Sequence, residues 1–242
     1  MNLRHKLKKI KSNISVILKL DVFYSRLSFS QEGEDILLDK LFAPDYVGFY
    51  VDVGAHHPYR YSNTNRLYKR GWRGINVDVD VSAIELFDKA RPHDFNINIA
   101  VSTKTGKVNY YQFTESALNT ISKRNYKRVI TSGQSEFTEE IKVKTQSLAK
   151  ILGKYAKRKP IDLLNVDVEG AEMEVLRSND WSKFKPKVIA VEFIWEKDIL
   201  GVTKSPLYKF LRAKGYSLII KTVNCLFFVQ KDLKIPIRSY HL

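Results

Sequence analysis

Phe49-Tyr50-Val51-Asp52-Val53-Gly54-Ala55-His56-His57-Pro58 is the stretch that decides the fold. Its first five residues, Asp52 apart, are β-branched or aromatic, the composition of a buried strand. Gly54 follows where the chain must turn sharply, Pro58 can open the next segment, and Asn63 to Arg70 reads as a helix. A strand, a glycine turn and a helix in that order begin a doubly wound α/β sheet, whose ligands bind at the carboxyl ends of its strands.

The turn is not a dinucleotide fingerprint, which needs three glycines so that the backbone can approach a pyrophosphate. It has one glycine, preceded by Asp52, whose carboxylate would repel phosphate and suit a cationic group. Gly74 to Asp78 reads as the next strand, with Asp78 at its end. The spacing from Gly54 is close to the ~20 residues at which an acidic side chain takes the ribose hydroxyls of a nucleoside. Asp52 and Asp78 together fit an adenosine ligand without phosphates. S-adenosylmethionine, with its α-amino group and sulfonium, is such a ligand. The alternative is two strand-end aspartates facing water.

Further motifs lie in order along the chain: Ser30-Gln31-Glu32-Gly33-Glu34-Asp35, Val51 to Pro58, Ser62-Asn63-Thr64, Lys69-Arg70-Gly71-Trp72-Arg73-Gly74 and Asp167-Val168-Glu169-Gly170-Ala171-Glu172. Taken together they resemble the FkbM-type family of S-adenosylmethionine-dependent methyltransferases, over about residues 28–195. The resemblance implies a Rossmann-like class I methyltransferase fold: a seven-stranded, mostly parallel sheet with helices on both faces and a C-terminal antiparallel hairpin. It implies O-methylation of a sugar or natural-product hydroxyl, in many members within capsule or lipopolysaccharide biosynthesis. It also implies that Gln31, Asp35, Asp52, Gly54, Asn63, Asp78, Val79, Ala100 and Asp167 surround the cofactor.

The chain has 242 residues and a formal charge of +15. The length suffices for one well-buried α/β domain, assigned to residues 29–242. A single cysteine, Cys225, excludes an internal disulfide framework and a cysteine-based zinc site, and agrees with a cytoplasmic location. No run of ~18 apolar residues predicts a membrane span. The charge predicts acidic partners: nucleic acid, anionic lipid or a phosphate-bearing substrate. In residues 1–28, Leu3, Leu7, Ile10, Ile14 and Ile17 make one apolar helical seam among Arg4, Lys6, Lys8, Lys9 and Lys11. Such a helix would pack on the domain or a second subunit, giving a homodimer, lie on the inner face of an anionic membrane, or touch nucleic acid.

Ser30 to Phe42 reads as a helix with Ser30 as N-cap. After the first unit, Ser82 to Ala90 reads as helix, Asp94 to Val101 as strand with Ala100 ending beside the adenine, and Lys107 to Phe113 as a further strand. Residues 114–140 break the pattern. They read as a substrate loop whose Lys123, Arg124, Lys127 and Arg128 suit a phosphate on the acceptor, or as a merely solvated loop. Ile141 to Thr145 and Ile161 to Asp167 read as strands with the helix Ser147 to Tyr155 between them. Glu172 to Arg177 is helical and Val188 to Phe193 a strand. Leu207 to Lys214 forms a helix ended by Gly215, and Tyr216 to Lys221 with Cys225 to Gln230 a hairpin.

Methyl transfer from a sulfonium is an in-line displacement in which the protein mainly holds the acceptor oxygen against the methyl. A sugar hydroxyl also needs a base or a metal ion to take its proton. Asp167 and Glu169 follow one strand, Glu192 ends its neighbour, and His56 and His57 lie in the first turn, so all five can meet at one mouth of the sheet. Asp167, Glu169 and Glu192 form an oxygen-rich set for Mg²⁺ or Mn²⁺. The metal-free alternative uses His57 or His56 as general base. Two rival functions remain: an RNA-directed methyltransferase exploiting the charge, against which no Asn-Pro-Pro-Tyr-type motif is present, and a cofactor-binding module without turnover.

Overall fold

The computed structural model describes residues 25–157, 159–196 and 198–233. The amphipathic seam of residues 1–28 therefore lies almost wholly outside the described residues. The strands in chain order are β1 (Phe49–Val53), β2 (Arg73–Asp78), β3 (Phe95–Asn98), β4 (Ala100–Val101), β5 (Gly106–Phe113), β6 (Phe137–Gln146), β7 (Leu163–Val166), β8 (Val188–Glu192), β9 (Tyr216–Lys221) and β10 (Cys225–Gln230). The helices are α1 (Glu34–Leu41), α2 (Asn65–Lys69), α3 (Val81–Ala90), α4 (Lys123–Ser132), α5 (Leu148–Tyr155), α6 (Glu172–Arg177), α7 (Ile199–Lys204) and α8 (Pro206–Ala213).

Seven strands form the main sheet in the order β3-β2-β1-β7-β8-β10-β9. The first five run parallel, while β10 pairs antiparallel with both β8 and β9. From β1 the chain winds outward through β2 and β3, then returns to lay β7 on the other side of β1. The order reverses there, so β1 and β7 leave a crevice beyond their carboxyl ends. Both faces of the sheet's centre are covered, which is why β1, β7, β8 and β10 read as nearly continuous apolar runs. Val51, Val53, Ile75 and Val77 pack on one face with Leu148, Ile151 and Leu152 of α5 and Val175 and Leu176 of α6. Tyr50, Leu163, Val188 and Phe227 pack on the other with Leu38, Leu67 and Trp72.

Three expectations need correction. Asp94 to Val101 is not one strand: β3 ends at Asn98, and β4 joins β5 and β6 in a separate sheet of order β4-β6-β5. Ile99 makes the last rung of the β2–β3 ladder, its N–H donating to the Asp78 carbonyl at 2.9 Å, and pairing with β6 begins at Ala100. Residues 114–140 are not an irregular loop: they hold a 3₁₀ turn at Ser116–Leu118, helix α4 and the first part of β6. Helix α4 is short and polar but well bounded. Ser122 caps it, accepting from Asn125 N at 3.3 Å, and Gly133 ends it at φ 65°. Nearly all of β6 is solvent-exposed, so it lacks the alternation that marks a half-buried strand. Finally, α1 begins at Glu34 after a left-handed Gly33, and Ser30 is not its N-cap.

Candidate active site

The turn after β1 forms because of one close approach. Gly54 has φ +80°, and a Cβ there would stand 1.6 Å from the carbonyl oxygen of Asp167. Only glycine lets the ends of β1 and β7 meet. Gly54 N and Ala55 N both donate to the Val77 carbonyl, at 2.9 and 3.2 Å, and bind the turn to β2 as well. A cavity of about 870 Å³, its open mouth included, lies over these three strand ends. Its floor is Val53, Gly54, Asp78, Val79 and Asp167, with Ile99, Ala100 and Val101 as an apolar wall. A concave space with an apolar wall and a few convergent polar groups is the usual form of a small-molecule site.

Asp78 faces the cavity. Its two carboxylate oxygens accept from the backbone N–H groups of His56 and Asp80, each at 2.8 Å. Enclosure by protein raises its pKa to about 6, against the lowering effect of those two bonds. Asp52 behaves differently. Side chains alternate along a strand, so Asp52 points away from the face shared by Val51 and Val53. It is 2% exposed and accepts from Thr64 Oγ1 at 2.6 Å and Asn165 Nδ2 at 2.8 Å. It is the centre of a buried network below the cavity, not a wall of it. Asn63 belongs to the same network through a 3.1 Å bond to Asn165 Oδ1. Arg91, fully buried, continues it: its guanidinium donates to Thr64 Oγ1 at 2.8 Å, Ser62 Oγ at 3.0 Å and the Pro58 carbonyl at 2.6 Å. The loop that carries His56 and Tyr61 is thus fixed from beneath.

Asp35 is also away from the cavity. Fully buried, it accepts from Ser28 Oγ at 2.6 Å, Ser30 Oγ at 3.0 Å and Arg66 Nε at 3.1 Å, and so folds the segment before α1 onto α2. Gln31 lines the cavity and also a smaller recess beside it, shared with Glu34, Tyr61, Asn63, Asp167, Glu192, Asn224 and Cys225. Glu32 closes the side of that recess, accepting from Asn224 N at 3.1 Å and Asn224 Nδ2 at 2.8 Å.

Carboxylates converge where the two spaces meet. One oxygen from each of Asp167, Glu169 and Glu192 lies within 4.8 Å of the others. All three pKa values are raised, first by desolvation and next by their mutual charge and that of Glu172. Glu169 reaches about 7, with Asn125 and Arg128 opposing the shift. Glu169 sits at φ 52° and Gly170 at φ 93°, so two successive left-handed residues aim the Glu169 side chain back toward Asp167. Its carboxylate accepts from Asn125 Nδ2 at 3.2 Å and its carbonyl from Thr120 Oγ1 at 2.7 Å. Arg128 approaches it to 3.8 Å. One oxygen of Glu192 is buried with no hydrogen-bond partner among the described residues. Arg73 does not pair with it and donates to the Trp72 carbonyl.

The histidines divide. His57 Nδ1 accepts from Tyr59 N and Arg60 N, both at 3.0 Å, so the neutral ring carries its proton on Nε2 and has no lone pair left for a substrate. His56 lines the cavity, and its Nε2 is buried without a partner among the described residues. Burial first, then Arg60 and His57, lower its pKa and keep it neutral at pH 7.

Sequence reasoning missed three parts of the site. Glu34, in the first turn of α1, lies in the recess. Ser116 to Ile121 form a cavity wall although they fell in the supposed loop. Asn224 lies in a hairpin turn, and no spacing rule joins it to Glu32.

A doubly wound sheet with a cavity at its switch point is the architecture of an α/β protein that binds its ligand at the carboxyl ends of its strands. The chain belongs to the methyltransferase FkbM domain family, whose model matches residues 52–218. None of the curated proteins matches it. Among solved structures it is similar to the methyltransferase FkbM from Methylobacillus flagellatus KT, with 14% identity and a TM-score of 0.46. That match covers 76% of this chain and 44% of the other, so this chain spans less than half the length of that protein. Among the described residues no helix is long and apolar enough to cross a membrane.

Proposed function

We propose that the protein transfers a methyl group from S-adenosylmethionine to a hydroxyl of a sugar-containing acceptor. The observation that carries this is the junction of the two spaces. A cavity over the strand ends, with Asp78 at the end of β2, meets a half-buried carboxylate cluster at Asp167. The cofactor fits the residues present. Asp78 keeps lone pairs for two ribose hydroxyls, Val79, Ile99, Ala100 and Val101 offer an apolar surface for an adenine, and the carboxylates complement a sulfonium and an ammonium. Bound there, S-adenosylmethionine supplies an electrophilic methyl on a good leaving group.

The chain's own contribution is geometry and proton management. Gly54 and the network under Asp52 hold the cavity floor rigid. The recess between Glu34, Asn63 and Asn224 presents the acceptor, and the clamp of Glu32 on Asn224 fixes that side. A proton leaving the hydroxyl can pass to Glu169, whose pKa of about 7 balances ionised fraction against basicity. His56 Nε2 is the histidine alternative. The unsatisfied Glu192 oxygen and the mutual repulsion of Asp167, Glu169 and Glu192 also fit a divalent cation. Mg²⁺ or Mn²⁺ held by those three would lower a hydroxyl pKa.

Calorimetric titration with S-adenosylhomocysteine, with and without Mn²⁺, tests both parts. Micromolar binding is expected, with metal-dependent heat that vanishes in Asp167→Ala. No binding under either condition would remove the methyl-transfer reading.

A further inference from the structure

A cationic face at the cavity rim takes no part in the chemistry above. Helix α4 opens with Lys123 and Arg124, and Lys127 and Arg128 follow one turn later. Residues four apart stack on a helix, so Lys123 with Lys127 and Arg124 with Arg128 form two adjacent like-charge stripes. Asn125 and Val129 are buried and turn the opposite side of the helix to the protein. No acidic residue stands in the first turn to offset these charges. Lys123, Arg124 and Lys127 are exposed, and none has an ion-pair partner among the described residues. The Arg124 guanidinium lies 3.8 Å from the centre of the Trp195 ring.

This face adjoins the site. A Cβ at Gly170 would stand 2.9 Å from Asn125 Cβ and 3.3 Å from the Trp195 ring, so α4 and Trp195 both press on the turn that carries Glu169. The residues just before α4, Ser116 to Ile121, line the cavity. A phosphate could not sit deeper, where Asp167, Glu169 and Glu192 would repel it. At the rim it would meet a stacked guanidinium with its N–H edge free for paired bonds and two lysines beside it.

We infer that Lys123, Arg124 and Lys127, with Trp195 as platform, form a phosphate subsite that holds a phosphate or diphosphate of the acceptor while its hydroxyl reaches the carboxylates. What the phosphate belongs to rests on the methyl-transfer reading; the phosphate contact itself does not.

The probe is pyrophosphate, titrated calorimetrically into the full chain with and without saturating S-adenosylhomocysteine. Wild type is expected to bind, and the Arg124→Gln/Lys127→Gln double variant to bind roughly tenfold or more weakly with an unchanged melting temperature. Arg124→Lys, which keeps the charge and loses the planar fork, should fall between. Because the chain carries +15 overall, Lys107→Gln/Lys144→Gln on the β5–β6 ribbon is the control for net charge. An equal loss there, or no loss in the α4 variant, would overturn the subsite. Failure of S-adenosylhomocysteine to bind would remove the methyl-transfer reading and leave the pyrophosphate result standing. A uridine diphosphate sugar and phosphatidylcholine vesicles with and without phosphatidic acid then separate the sources. Arg124-dependent binding of the first assigns a soluble acceptor, of the vesicles a lipid-borne one, and of neither overturns the inference.

Discussion

Glu169→Gln should make the metal-free protein more stable, and only at high pH. The side chain keeps its shape, and a glutamine oxygen can still accept from Asn125 Nδ2. What disappears is a charge held among Asp167, Glu172 and Glu192. Burial and Glu172 raise the Glu169 pKa from 4.5 to about 7. The raised value means that the folded state binds this proton more tightly than the unfolded chain does. Its stabilising effect is therefore complete below pH 4.5, fades as pH rises toward 7 and is gone above it. At 1.36 kcal/mol per unit, the ionised side chain costs the folded state up to about 3 kcal/mol at pH 8. Removing it should raise the melting temperature at pH 8 by roughly 6–12 °C, from 2–4 °C per kcal/mol for a chain of this size. At pH 5 the rise should shrink to a degree or two. Melting curves by circular dichroism in a chelating buffer at both pH values read this directly. Added Mn²⁺ should stabilise wild type at pH 8 and the variant much less. A rise of equal size at both pH values, or a fall at pH 8, would refute the account of a strained carboxylate cluster.

Two further outcomes follow from the cavity floor. Asp78→Asn should weaken S-adenosylhomocysteine at least tenfold, since hydrogen bonds to an ionised acceptor are worth about 1.5–3 kcal/mol. In wild type the affinity should fall as pH drops below about 6, where Asp78 takes a proton; calorimetry at pH 5 and 8 giving equal affinities would count against the ribose role. Gly54→Ala forces a Cβ to within 1.6 Å of the Asp167 carbonyl at φ +80°, so β1 and β7 must separate. Strain and overpacking together should cost about 4 kcal/mol, and a melting temperature within a few degrees of wild type would refute it.

The parallel core was legible because β1, β2, β7 and β8 are buried on both faces and read as short apolar runs, a signal that neighbouring residues carry by themselves. The closing hairpin was legible from two apolar runs flanking the turn at Thr222-Val223-Asn224, and Asp78 and the carboxylates at the ends of β7 and β8 from their place in the strand pattern. The second sheet was not. Its longest strand, β6, is solvated on both sides and stands only because it pairs with β5 from Gly106↔Thr145 to Phe113↔Phe137, a register that the sequence of β6 does not encode. Helix α4 escaped notice because two inward residues, Asn125 and Val129, are too few to make a period.

The chain by itself determined the doubly wound class, the turn at Gly54 and the set of acidic residues at one mouth of the sheet, since each depends on local composition and spacing. Only the tertiary structure decided which of these side chains reach the cavity. Strand alternation turns Asp52 into a buried network, Asp35 is spent on Ser28, Ser30 and Arg66, and Nδ1 of His57 is taken by two backbone N–H groups. It also brought Glu34, Asn224 and the wall at Ser116 to Ile121 to the same mouth. Those outcomes depend on partners far away in sequence, and a short-range pattern cannot carry them.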